Sequence, residues 1–191
     1  MKTIQISDAQ MATRVARFRD LLPLPVQTNA DVPLAAADLI YARKLLTVIG
    51  LEGGTETPIS ARAPITGAGG MTMVIAACPP GQGPSLHSHE ATIETFTVLQ
   101  GRFEVSWNDH GENRVELGQF DTISVPKRVQ RAFRNIGDGE GLLQVIITGG
   151  VHDMNDIAFA PQVADRIIAI KPAALAAFEK TGLRFDAGVE H

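Results

Sequence analysis

The chain has 191 residues, enough for one domain with a sizeable core and too few for two full ones. Its 21 acidic and 17 basic residues give a formal net charge of −4 with both signs scattered, so the basic stripe that nucleic-acid binding needs is missing. No apolar run approaches the roughly 20 residues of a membrane-spanning helix, and a single cysteine, Cys78, excludes an intrachain disulfide.

Cys78 lies among apolar strand residues before Pro79 and reads as a buried, inert thiol, compatible with a reducing compartment. The N-terminus has no apolar h-region, and Asp8 and Asp20 break up the Arg14, Arg17, Arg19 set that a presequence would need. The expectation is a cytoplasmic protein with neither a membrane nor a nucleic-acid partner.

Residues 1–60 read as an accessory segment, a helix plus a strand or loop. Ser7 with Gln10 makes a capping box, and Met11, Val15, Phe18 and Leu22 share one helical face until Pro23 stops the run. That apolar stripe asks for burial, on the rest of the chain or on a second copy. The stretch 31–46 has Leu34, Ala37, Tyr41 and Leu45 aligned as in a second helix, although its end, Leu45 to Ile49, reads equally well as a strand.

Residues 61–152 are β throughout. Short β-branched or alternating segments start at Met71, Glu94, Arg102, Thr122 and Leu142, and Gly, Pro and Asn-Asp clusters separate them. Many short strands with no helical pattern between them predict an all-β sandwich or barrel. The tail, 153–191, turns helical again, with Pro172 in a first turn, Ala173 to Lys180 as helix formers and Gly182 as the stop.

Within the β region, His87 and His89 lie two apart, which on a strand puts both imidazoles on one face. Glu94 follows, and a bend at Glu90, Ala91 and Thr92 brings its carboxylate back beside them. Two imidazoles and a carboxylate form a facial triad suited to Fe(II), and also to Mn, Ni, Co or Zn, with coordination positions left open for substrate. A bare His-x-His is common on ordinary strands; Gly81, Glu94 and Gly101 around it sharpen the signal.

With those flanking residues the chain resembles the cupin superfamily. Gly81, His87, His89, Glu94 and Gly101 match every spacing of that family's first motif, G-x5-H-x-H-x3,4-E-x6-G. The second, G-x5-P-x-G-x2-H-x3-N, is met by Pro126 and Asn135, with Phe120 and Arg128 in place of its glycines and Arg131 in place of its histidine ligand. The resemblance covers about residues 65–150. It implies a double-stranded β-helix (jelly-roll) barrel with helical N- and C-terminal extensions, often a homodimer, with a site in the barrel mouth.

Arg131 leaves three readings open, because a guanidinium only donates and cannot ligate a metal. It stands aside from a metal held by His87, His89 and Glu94 and grips an anionic substrate group; or it pairs with Glu94 and fills the metal's place; or it covers the barrel rim with its head in water. His152, after the last long strand, is a candidate replacement ligand. By alternation Phe96, Trp107, Phe133 and Arg131 face inward, and they are the candidate substrate-binding residues.

The expected function is therefore a metal-dependent enzyme, by resemblance an oxygenase acting on a small, anionic or aromatic molecule, with Glu94 both a ligand and a proton relay. The alternatives are a metal-free isomerase or epimerase using histidine and arginine, and a non-catalytic ligand-binding module.

Overall fold

The computed structural model describes residues 1–24, 27, 29–51, 63–67, 69–149 and 154–189; His152 and His191 lie outside them. The alternating segments form strands as expected. One sheet holds β1 (Lys44–Gly50), β2 (Ile65–Thr66), β3 (Met71–Cys78), β5 (Ile93–Gln100), β8 (Thr122–Val125) and β10 (Gly141–Thr148), in the order β2-β1-β3-β10-β5-β8. The other holds β4 (His87–His89), β6 (Phe103–Trp107), β7 (Asn113–Leu117), β9 (Arg131–Asn135) and β11 (Ile157–Phe159), in the order β11-β4-β9-β6-β7. Apart from the parallel β1–β2 contact the pairings are antiparallel. Two such sheets face to face are the jelly-roll architecture.

The core lies between the sheets. Phe96 and Val98 of β5, Phe103 and Val105 of β6, Phe133 of β9, and Leu143, Val145 and Ile147 of β10 are alternate residues, all buried in one cluster. β3 departs from alternation because both of its faces are covered. Val74 and Ala76 join the central core, whereas Ile75 packs with Leu46 and Val48 against Ala16 and Leu21 on the outer face. Cys78 is wholly buried, and burial pushes its thiol up to about 12, which keeps it protonated and inert.

The two extensions meet at one end of the barrel. α2 (Leu34–Ile40), β11, α3 (Pro161–Ile170) and α4 (Pro172–Glu179) share a second apolar cluster that includes Ile40, Phe159, Ile167 and Phe178. The stretch 31–46 is thus a helix and then a strand: α2 ends at Ile40, and β1 pairs with β3 inside the barrel sheet. α3 falls within the expected helical tail, upstream of Pro172; Pro161 opens it, and Val163 and Ile167 are its buried residues.

The N-terminal helix differs from expectation. The Ser7–Gln10 capping box forms, but α1 (Asp8–Ala12) spans five residues and a separate 3₁₀ turn covers Phe18–Asp20. Met11, Val15, Phe18 and Leu22 are all exposed. Five residues are far below the length at which a helix stands without packing, and α1 buries none of them.

Candidate metal centre

β4 carries His87 and His89, with β11 paired to one side and β9 to the other, where His87 stands opposite Arg131. The chain then bends through 90–92 into β5, which returns Glu94. The three side chains are buried, and their ligand atoms lie within 4.8 Å of one another. Glu94 Oε2 is 3.6 Å from the Nε2 atoms of both His87 and His89.

The outer nitrogen of each imidazole is already committed. His87 Nδ1 lies 2.9 Å from the carbonyl oxygen of Ser85, which can only accept, so Nδ1 carries the proton and Nε2 presents a lone pair. His89 Nδ1 lies 2.8 Å from Thr92 Oγ1 and 3.1 Å from Asp156 Oδ2. The Thr92 hydroxyl donates to that same carboxylate oxygen at 2.5 Å, so it accepts from His89. Both Nε2 lone pairs therefore point toward Glu94.

The protonation states suit metal ligation. Burial lowers His89 below the ordinary imidazole range, against the pull of Glu94, and keeps it neutral. Burial would raise Glu94, but the positive charge of His89 and His87, when they are protonated, and of Arg131 outweighs it and holds the carboxyl at about 2. Glu94 Oε2 is buried and makes no hydrogen bond. An ionised carboxylate oxygen that completes no hydrogen bond and faces two imidazole lone pairs is a donor set that fits a divalent metal.

Arg131 is wholly buried, which removes the rim reading. Its Nε lies 3.1 Å from Glu94 Oε2 without the alignment of a hydrogen bond, and one terminal nitrogen donates to the Val129 carbonyl at 3.0 Å. The guanidinium is thus the buried counter-charge of Glu94.

A cavity of about 80 Å³ opens over the triad. Besides His87, His89 and Glu94, its wall includes Leu24 and Tyr41 from the N-terminal segment, Val74 and Phe133 from the barrel and Phe159 from the tail. Of the four expected substrate-binding residues only Phe133 lines it. Phe96 is sealed in the core, edge-on to Phe133 at 5.2 Å, because it lies deeper between the sheets. Trp107, at the end of β6, faces a separate depression with Pro126 and Val129. Arg131 lies behind Glu94, off the cavity wall. His110 is exposed in its turn.

Asp156 is the residue the sequence reading missed. It closes a 3₁₀ turn, Met154–Asp156, just before β11, and it is buried. Burial would raise its carboxyl, but hydrogen bonds from His89, Thr92 and the Ala91 N–H prevail and hold it at about 2. No local motif marks it, because its partners come from a different part of the chain.

The two second-motif glycine positions keep the left-handed backbone that glycine favours without glycine. Phe120 and Arg128, in the places of the two glycines, have φ values of 73° and 63°. Asn135 donates to the Cys78 and Gly139 carbonyls and accepts from the Gly137 N–H, each at 2.8 Å, which joins three segments of the barrel.

The sequence model for the cupin domain matches residues 74–147. Among solved structures, a Bacillus halodurans protein is 19% identical over 46% of this chain and 69% of its own, with a TM-score of 0.43. The cupin domain of Schizosaccharomyces pombe Cnp3 is 18% identical over 55% and 64%, with a TM-score of 0.40. A predicted oxalate decarboxylase from Thermotoga maritima is 21% identical over 40% and 64%, with a TM-score of 0.37. No curated protein matches the chain. With the first-motif residues His87, His89 and Glu94 brought together and its strands in a jelly roll, residues 74–147 of the chain form a cupin domain.

Proposed function

We propose that the chain is a metal-dependent enzyme in which His87, His89 and Glu94 hold a divalent ion, Fe(II) first among the candidates, and that it acts as an oxygenase on a small organic substrate. The observation that supports this reading is the convergence of two Nε2 lone pairs and an ionised carboxylate oxygen that completes no hydrogen bond, beside an apolar cavity. A metal with three protein ligands supplies open positions for substrate and O2. The chain's own residues do the rest: Val74, Phe133 and Phe159 exclude water, and Glu94, ionised beside both imidazoles, supplies the anionic ligand. The small apolar cavity favours a compact substrate over an extended aromatic one. Arg131 serves here as the charge partner of Glu94, and the substrate-clamp role lacks support because the side chain is off the cavity wall.

A second reading rests on the Arg131–Glu94 contact: a metal-free site in which the imidazoles and Glu94 do acid–base work, as in an isomerase. Elemental analysis of protein purified without chelator or nickel resin separates the two. The metal reading expects one transition-metal ion per chain, as purified or after anaerobic reconstitution, and O2 uptake with compact substrates. No metal under either condition sinks it and leaves the acid–base reading.

A further inference from the structure

We propose that Asp156 is the positioning residue of this centre: its carboxylate fixes His89 with Nδ1 protonated and Nε2 bare, and clamps the bend that returns Glu94 to the imidazoles. The inference deepens the metal reading, but its first half concerns the metal-free protein and stands apart from it.

Three donors converge on this one carboxylate. Oδ1 accepts from the Ala91 N–H at 2.6 Å, and Oδ2 accepts from the Thr92 hydroxyl at 2.5 Å and from His89 Nδ1 at 3.1 Å. The Asp156 carbonyl accepts from the Glu90 N–H at 2.9 Å. Each residue of the 90–92 bend is therefore bonded to Asp156, which is itself set in place by the pairing of β11 with β4, Ile157 opposite His89.

The tautomer of His89 depends on this carboxylate through two routes. Directly, Oδ2 can only accept, so Nδ1 must donate. Indirectly, Asp156 takes the hydroxyl proton of Thr92, which leaves Thr92 Oγ1 an acceptor toward the same Nδ1. Without a carboxylate at 156, the Thr92 hydroxyl is free to turn and donate to Nδ1, which drives the proton to Nε2 and occupies the lone pair a metal needs. The segment that completes the centre, 154–159, lies beyond the 74–147 span of the cupin match.

The test has two arms on the full chain, wild type and Asp156→Asn, each checked for folding by thermal melting. The first is long-range ¹H–¹⁵N NMR of the histidine rings in chelator-stripped protein above pH 7. Wild type is expected to show His89 protonated at Nδ1, and Asp156→Asn to move the proton to Nε2, since an amide NH2 can donate where the carboxylate accepted. The second is titration with Co(II), followed by calorimetry and visible absorption, where Asp156→Asn should weaken binding by about 10- to 100-fold. Thr92→Val is the second variant. Asp156 alone still accepts from Nδ1, so the tautomer should hold and affinity should stay within about threefold of wild type.

A wild-type His89 protonated at Nε2 overturns the proposal, as does a folded Asp156→Asn protein with unchanged tautomer and Co(II) affinity. A tautomer switch in Thr92→Val overturns it even if Asp156→Asn does not fold. If wild type binds no Co(II) while the NMR arm behaves as expected, the positioning role stands and the metal reading falls.

Discussion

Arg131 Nε lies 3.1 Å from Glu94 Oε2 inside the barrel, and neither atom completes a hydrogen bond. The two charges are held together by proximity in a dry site, and each is costly alone. Arg131→Ala should therefore destabilise the metal-free protein by about 3–5 kcal/mol in urea denaturation, because it strands a buried carboxylate. Added Co(II) should restore much of that loss, since the cation becomes the counter-charge of Glu94. Arg131→His, which supplies the ligand type its family uses at this position, should tighten Co(II) binding roughly tenfold or more, as it removes a guanidinium and adds an imidazole. If both variants match wild type in stability and metal affinity, the counter-charge role is wrong.

The pH dependence of stability follows from the same cluster. Glu94 and Asp156, both held at about 2, have lower pKa values folded than unfolded. Their contribution is present above about pH 4.5 and is lost as pH falls toward 2, on the order of 3 kcal/mol for Glu94. His89 is also lowered, so the unfolded chain takes up its proton first and stability already declines below about pH 6.5. The urea midpoint of metal-free protein should therefore fall in two stages, gently below pH 6.5 and steeply below 4.5. Glu94→Gln should reduce the second stage. A flat profile between pH 7 and 5.5 would mean that His89 is charged in the folded protein.

The candidate ligands were legible in the sequence because they are close in the chain. Strand periodicity alone puts His87 and His89 on one face, and one short bend returns Glu94. Asp156 was not legible: a lone Asp before a short edge strand has no spacing to mark it, and its partners are set by tertiary pairing. The inward residues were read by parity, which is correct for a strand's face but blind to depth. That is why Phe96 is sealed in the core and Trp107 faces another depression, while Phe133 reaches the cavity. The N-terminal stripe forms only the short α1 within this chain, because a helical pattern makes a long helix only where a partner surface buries it.

Asn135 matches the family motif, yet it is fully buried with its amide satisfied by three backbone groups and it does not line the cavity. Its role is to tie β9 to the end of β3 and to the 137–139 turn. Asn135→Ala leaves two carbonyls and one N–H without partners, and should cost about 2–4 kcal/mol of stability. Co(II) affinity of the folded fraction should remain that of wild type. A large affinity loss at unchanged stability would instead place Asn135 in the site.

Phe120 offers the reverse case, a substitution expected to stabilise. It occupies a glycine position of the second motif with φ at 73°, and the residue is 73% exposed. The left-handed region costs an L-residue roughly 1–2 kcal/mol, and an exposed ring recovers little of that by burial. Glycine at this position relieves the strain but gives back about 0.5–1 kcal/mol in unfolded-chain entropy. Phe120→Gly should therefore gain on the order of 0.5–1 kcal/mol, read as a higher urea midpoint at unchanged m-value. Arg128→Gly, at φ 63°, should gain less, because Arg128 also pairs with Glu90 beside the 90–92 bend. A Phe120→Gly protein clearly less stable than wild type would show that the exposed ring is buried in solution, and a matching fall in sedimentation coefficient would identify the burying surface as a second copy of the chain.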